Sequence, residues 1–151
     1  AACMGCCWQG RTTGVAEGSK VMANDTTLRE TLLQLRLTEE VDARQRYREL
    51  QSRLREVRVQ ITSIEESTER CSRQAQIAFR NGNDNVGRGN QREVQGLTLL
   101  RARCIGELAG IKQELGKARQ EWLYAMELRK TLDAELRVKK AVRETMQPQT
   151  A

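Results

Sequence analysis

From Ala43 onward the apolar or small residues fall at Ala43, Tyr47, Leu50, Leu54, Val57, Ile61, Ile64, Thr68, Cys71, Ala75 and Ala78, stepping alternately by four and three. This spacing keeps one helical face apolar at a period of 3.5 residues, and sustained over about five heptads it specifies a coiled-coil seam. A chain organised by such a seam buries a stripe, and its composition agrees. Only 38% of the 151 residues are hydrophobic and 3% aromatic, against roughly 45–50% apolar in ordinary globular domains. The charged share is 30%, and the single proline is Pro148. A large compact core is excluded, and long helices are expected.

Residues 1–24 hold four glycines and no periodicity, so they are expected to form a flexible N-terminal arm. Thr27 followed by Glu30 has the form of a capping box, which satisfies the first orphan N–H groups of a helix. Helix one is therefore expected over 27–80, on the order of 80 Å at ~1.5 Å per residue. Its early apolar residues, Leu28, Leu32, Leu33, Leu37 and Val41, keep helical spacing in a shifted phase, which predicts a local change of winding near Glu39 to Ala43.

The stretch "RNGNDNVGRGNQRE" then gathers the turn residues Asn81, Gly82, Gly87, Gly89 and Asn90. Asn81-Gly82 offers a left-handed stop, and Asn90 with Glu93 a fresh N-cap. A turn is expected over 81–90 and helix two over 91–146, before a tail at 148–151. Helix two carries Leu97, Leu100, Cys104, Leu108, Ile111, Leu115, Ala118, Trp122, Ala125, Leu128, Leu132 and Leu136, again mostly in steps of three and four. Folding back at Gly87 sets residues whose numbers sum to about 175 opposite one another, with Ile64 against Ile111 and Cys71 near Cys104. Gly106 and Gly110 share a face open to close approach by a partner helix. The expected fold is all-α, a long antiparallel helical hairpin over 25–147.

Catalysis is not expected. With no histidine in the chain, Ser/His and Cys/His nucleophile pairs and the commonest metal ligand are missing. Cys3, Cys6 and Cys7 form a C-x-x-C-C cluster without a second pair at zinc-site spacing. Gly82 to Gly87 has phosphate-loop spacing, but Arg88-Gly89 stands where Lys then Ser or Thr is needed. Asn81, Asn83 and Asn85 imitate alternate calcium ligands, yet Val86 and Arg92 replace the required glycine and glutamate. No cofactor or metal is expected. The scattered cysteines build no disulfide framework, which points to a reducing compartment, and no run of 18 apolar residues could span a bilayer.

Binding signals are stronger. The 26 Lys and Arg against 20 Asp and Glu give a net charge of +6, which suits an acidic partner. Arg44, Arg46, Arg48, Arg53, Arg55, Arg58, Arg70 and Arg73 cluster on helix one with no lysine among them; guanidinium groups bind phosphates bidentately. The competing account is intrahelical i,i+4 pairing with Glu49, Glu56, Glu65, Glu66 and Glu69. At the N-terminus, "MGCCWQG" would expose Gly5 for myristoylation if Met4 is the start, with Cys6 and Cys7 open to palmitoylation. Two acyl signals would anchor stably where one would not.

"DTTLRETLLQLRLTEEVDARQRYRELQSRLREVRVQI" resembles helix one of an ESCRT-III subunit of the myristoylated charged multivesicular body protein branch, and "RGNQREVQGLTLLRARCIGELAGIKQELGKARQEW" resembles that family's turn and the start of its helix two. The likeness covers residues 25 to about 136. It implies assembly on acidic endosomal membranes, membrane remodelling, ESCRT-type or like-chain partners, and a cytoplasmic, peripheral membrane location. On this reading the helix-one arginines and the Gly5 to Trp8 arm face lipid. The alternative is a structural coiled-coil subunit of a cytoskeletal, axonemal or flagellar assembly. An RNA-contacting accessory subunit ranks third, since aromatics and lysine tails are scarce.

Overall fold

The computed structural model describes residues 14–147, with side chains from residue 24 onward. The chain is an all-α helical hairpin in which α1 (Gly14–Arg80) and α2 (Asp84–Met146) pack against each other. The described residues include no strand, and no described helix is long and apolar enough to cross a membrane. Two compact units divide the chain: a terminal unit of Ala1–Glu39 with Met126–Ala151, and a turn unit of Glu40–Ala125.

Helix α1 starts at Gly14 rather than at Thr27, so the flexible arm expected over residues 1–24 is helical from Gly14. Thr27 lies inside the helix, where its carbonyl accepts a hydrogen bond from the Thr31 hydroxyl at 3.0 Å. The capping box fails as a start because no proline or glycine separates Ser19 from Thr27, leaving nothing to interrupt an upstream helix.

The turn is three residues long, not ten. Gly82 has φ +73°, a left-handed conformation that costs an L side chain about 1–2 kcal/mol. Its N–H donates to the Phe79 carbonyl at 3.2 Å while Asn83 N–H donates to Ala78 at 2.8 Å, the paired bonds of a Schellman motif. The Asn83 carbonyl in turn accepts from Gly87 N–H at 3.1 Å. Asn83 thus closes α1 and stands at the N-cap of α2, the place expected for Asn90. Gly87, Gly89 and Asn90 belong to α2. Asp84 lies in its first turn, where a carboxylate complements the helix dipole.

The shorter turn resets the register. Side chains that meet across the hairpin have numbers summing to between 160, for Arg53 with Glu107, and 170, for Glu30 with Lys140. Ile64 and Ile111 therefore do not face each other, although both join a cluster with Val57 and Cys104, flanked by Leu54, Ile61, Leu97 and Leu108. Cys104 lies about ten residues, or ~15 Å along the helix, from the point opposite Cys71. That is far beyond disulfide reach, and both buried thiols are free.

In the turn unit the sequence-predicted seam holds. Val57, Ile64, Cys71, Ala75 and Ala78 from α1 are buried, as are Cys104, Ile111, Ala118 and Ala125 from α2. Most are small, which lets the two backbones approach. Closest to the turn this becomes strict, because a Cβ on Gly87 would lie 2.7 Å from the Phe79 ring. Tyr47 and Trp122 stack at 5.6 Å between ring centroids. Arg101 occupies a seam position in place of Leu100, which is 44% exposed. Gly106 and Gly110 have nothing within 4 Å of an added Cβ, so α1 is not the close partner that their spacing suggested.

Candidate functional site: a basic face on the turn unit

Lettering each heptad a to g, with Tyr47 and Val57 as a and d of α1 and Trp122 and Cys104 as a and d of α2, sorts the surface charges. Arg46 and Arg53, both g, meet the α2 g residues Glu121 at 3.5 Å and Glu107 at 2.5 Å. All g positions therefore flank one side of the turn unit, and e positions flank the other. There Glu65 accepts a 2.9 Å hydrogen bond from Arg101.

On the e side, the e and b positions of α1 from Val41 to Thr62 are Val41, Arg44, Arg48, Gln51, Arg55, Arg58 and Thr62. Those of α2 from Ala102 to Leu123 include Lys112 and Arg119 and again no carboxylate. Arg44, Arg48, Arg55, Arg58, Lys112 and Arg119 are all exposed, and none makes an ion pair. From Arg44 to Arg58 the row runs about 21 Å. Exposed Val41, Ile105 and Leu123 share this face. The acids collect on the other side, with Asp42, Glu49 and Glu56 at c of α1 and Glu107, Glu114 and Glu121 at g of α2. Charges interleaved along the chain thus leave one side of this stretch, 41–62 on α1 and 102–123 on α2, without acids.

The eight arginines singled out in the sequence divide accordingly. Arg44, Arg48, Arg55 and Arg58 come together. Arg46 and Arg53 are drawn to the acidic side, where as exposed pairs each contributes about 0.2–1 kcal/mol. Arg70 stands at a c position, and Arg73 pairs with Glu69 one turn back. Intrahelical pairing therefore accounts for Arg73 alone of the eight. Lys112 and Arg119 were missed because they lie on the other helix, yet their seven-residue spacing at e was available once the α2 seam was lettered. Gly5, Cys6 and Cys7 lie outside the described residues.

The terminal unit is built the other way round. Its half-buried positions on α1 are Thr26, Arg29, Leu33, Arg36 and Glu39, the first four in the heptad phase of Ala43 to Ala78, so the change of phase expected from the leucines does not occur. Only Leu33 of the five early apolar residues turns inward; Leu28, Leu32, Leu37 and Val41 are exposed by 36–69%. Ions fill the seam instead. Asp25 accepts from Lys139 Nζ at 3.0 Å and from Arg29 Nε at 3.4 Å, and Arg29 Nη1 donates to Glu135 at 3.1 Å. Lys139 first and Arg29 second hold the Asp25 carboxyl below its ordinary value of 3.8. Arg36 donates to Glu39 at 2.7 Å and Arg143 to the Thr26 hydroxyl at 2.7 Å. Such exposed pairs fix geometry more than they stabilise. In the turn unit, burial and then the Glu93 carboxylate push the Cys71 thiol up.

No group of three or more His, Cys, Asp or Glu able to hold a metal occurs among the described residues, and the grooves are shallow and open rather than enclosed. The class these features define is a helical hairpin with an acid-free basic stretch on one face. No protein-family model, no curated protein and no solved structure matches the chain.

Proposed function

We propose that the chain is a non-catalytic hairpin that docks by its basic face on acidic membrane surfaces, as an ESCRT-III-like subunit assembling there for endosomal sorting and membrane remodelling. The observation that carries the docking is the acid-free stretch of six unpaired cations on the turn unit, over 41–62 on α1 and 102–123 on α2. Each contributes about 1 kcal/mol next to anionic lipid at moderate salt. Exposed Val41, Ile105 and Leu123 on the same face give it the mixed apolar and cationic character of surface-bound amphipathic elements. The family and endosomal part rests on the likeness of residues 25 to about 136. Acylation of Gly5, Cys6 and Cys7 would add the second anchor that stable attachment needs.

Vesicle sedimentation tests the docking. Full chain should pellet with phosphatidylserine vesicles and release as salt rises. Replacing Arg44, Arg48, Arg55 and Arg58 by glutamine removes four charges and should weaken binding roughly a thousandfold, at about 1 kcal/mol per charge, while replacing Arg70 and Arg73 should not. Equal binding by both variants refutes the face. The alternative of a structural subunit in a cytoskeletal or axonemal assembly draws on the exposed leucines of the terminal unit. Single-stranded RNA ranks lower because aromatics are few and Tyr47 and Trp122 are stacked on each other at the seam, which leaves Tyr124 as the most exposed base-stacking platform among the described residues.

A further inference from the structure

The exposed apolar residues of the terminal unit form a second seam. Leu28, Leu32 and Leu35 step by four and three along α1 and are 69%, 38% and 52% exposed. Glu30 and Lys140, both e, pair at 3.8 Å, which sets the e positions on one side and these c and g leucines on the other. Val138 and Val142, at c and g of α2, are 64% and 47% exposed and flank the same side. Val138 stands level with Leu28 in the register of the hairpin. The result is a two-ridged apolar strip about 16 Å long. A seam of this spacing takes an α-helix with apolar residues in the same steps.

We infer that the occupant is the same strip of a second copy of this chain, so that two terminal units close into a four-helix contact about a two-fold axis. The charges around the strip favour this over a charged partner. Asp25, Glu39 and Glu135 rim it, and each carboxylate is already matched within its own chain by Lys139, Arg36 or Arg29. A two-fold contact must set like residues near one another; here the carboxylates meet already matched, so no unpaired acids are brought together at the strip and a basic helix finds none free to pair with. The ionic seam also explains why the leucines lie outside: the hairpin's own contact leaves them unused. Contiguous exposed apolar patches of this kind mark interaction sites. A contact of two such short strips is small beside the ~1,200–2,000 Å² of stable interfaces, so the dimer is a weak, reversible one. This inference does not depend on the basic face.

Analytical ultracentrifugation of the full chain over a concentration series tests it. The expected result is a reversible monomer to dimer equilibrium, weakened at least about tenfold by Leu28→Glu with Leu35→Glu and unchanged by Leu37→Glu on the e side. The first pair of side chains is mostly exposed, so circular dichroism should show unchanged helix content. A photo-crosslinker replacing Leu32 should give dimers. A chain that stays monomeric throughout, or a dimer indifferent to the Leu28 and Leu35 changes, overturns the inference. So does binding to uncharged phosphatidylcholine vesicles that needs Leu28 and Leu35, because lipid would then be the occupant.

Discussion

Replacing Gly87 by alanine tests the turn and the register together. In an unobstructed helix interior the change stabilises by about 1 kcal/mol. Here the new Cβ would lie 2.7 Å from Phe79 Cε1 and Cζ and 2.9 Å from Cδ1, well inside van der Waals contact. Either the ring stays and the site is overpacked, at about 1–3 kcal/mol, or it swings out. Phe79 is 37% exposed, so swinging out forfeits about two-thirds of a phenylalanine's burial, roughly 1–2 kcal/mol. Both routes offset the helical gain, and Gly87→Ala should be destabilising by about 1 kcal/mol net. In a Phe79→Ala background the obstruction is gone, and the same change should stabilise by about 1 kcal/mol. The sign reversal, a coupling of about 2 kcal/mol, is measurable as a double-mutant cycle in urea unfolding followed by circular dichroism. Stabilisation of equal size in both backgrounds would refute the approach of α1 to α2 at Gly87, and with it the three-residue turn.

Gly82→Ala should cost about 1–2 kcal/mol because of its positive φ, whereas Gly106→Ala, in open helix, should stabilise by up to about 1 kcal/mol; thermal unfolding of the two variants checks the contrast. Since the Asp25 carboxyl is held below 3.8 by Lys139 and Arg29, its ion pairs are present above pH ~4 and their contribution disappears as the pH falls through the lowered value. Asp25→Asn should therefore flatten the loss of stability below pH ~4, and salt should flatten it too; an unchanged acid limb contradicts the Asp25 ion pairs with Lys139 and Arg29. Cys71 and Cys104, buried and free, should react with a thiol reagent only on unfolding, and peptide mapping under non-reducing conditions should find them unlinked to each other. In a background without other cysteines, Ile61→Cys should crosslink to Cys104 within one chain, while cysteines at 64 and 111 should not join within a chain.

Charge sorting shows why the candidate site was half legible. The four arginines of the e side were visible as residue types, but each has glutamates nearby in sequence, and one-dimensional distance cannot tell a neighbour at i,i+4 from one on the opposite flank. Placing Arg46 and Arg53 against Glu121 and Glu107 required α2 in register. Lys112 and Arg119 entered the face for the same reason. In the terminal unit the early leucines suggest a seam, because apolar residues usually fill one. The structure keeps the heptad phase and seats Arg29 and Arg36 there, with carboxylates within reach to hold their charge.

By itself the sequence determined the class of fold: the four-three spacing from Ala43 to Ala78 and its counterpart on α2 leave a helix nothing to bury except another helix. It also determined the stop at Asn81-Gly82, because only a residue tolerant of positive φ can close α1 there. Tertiary structure decided where α2 begins and how the helices are aligned. A seam that repeats every seven residues looks the same after a slide of one heptad, so the pattern alone admits more than one hairpin. The Schellman turn selects among them by making Asn83 both the end of α1 and the cap of α2, and that selection fixes which charges share a face.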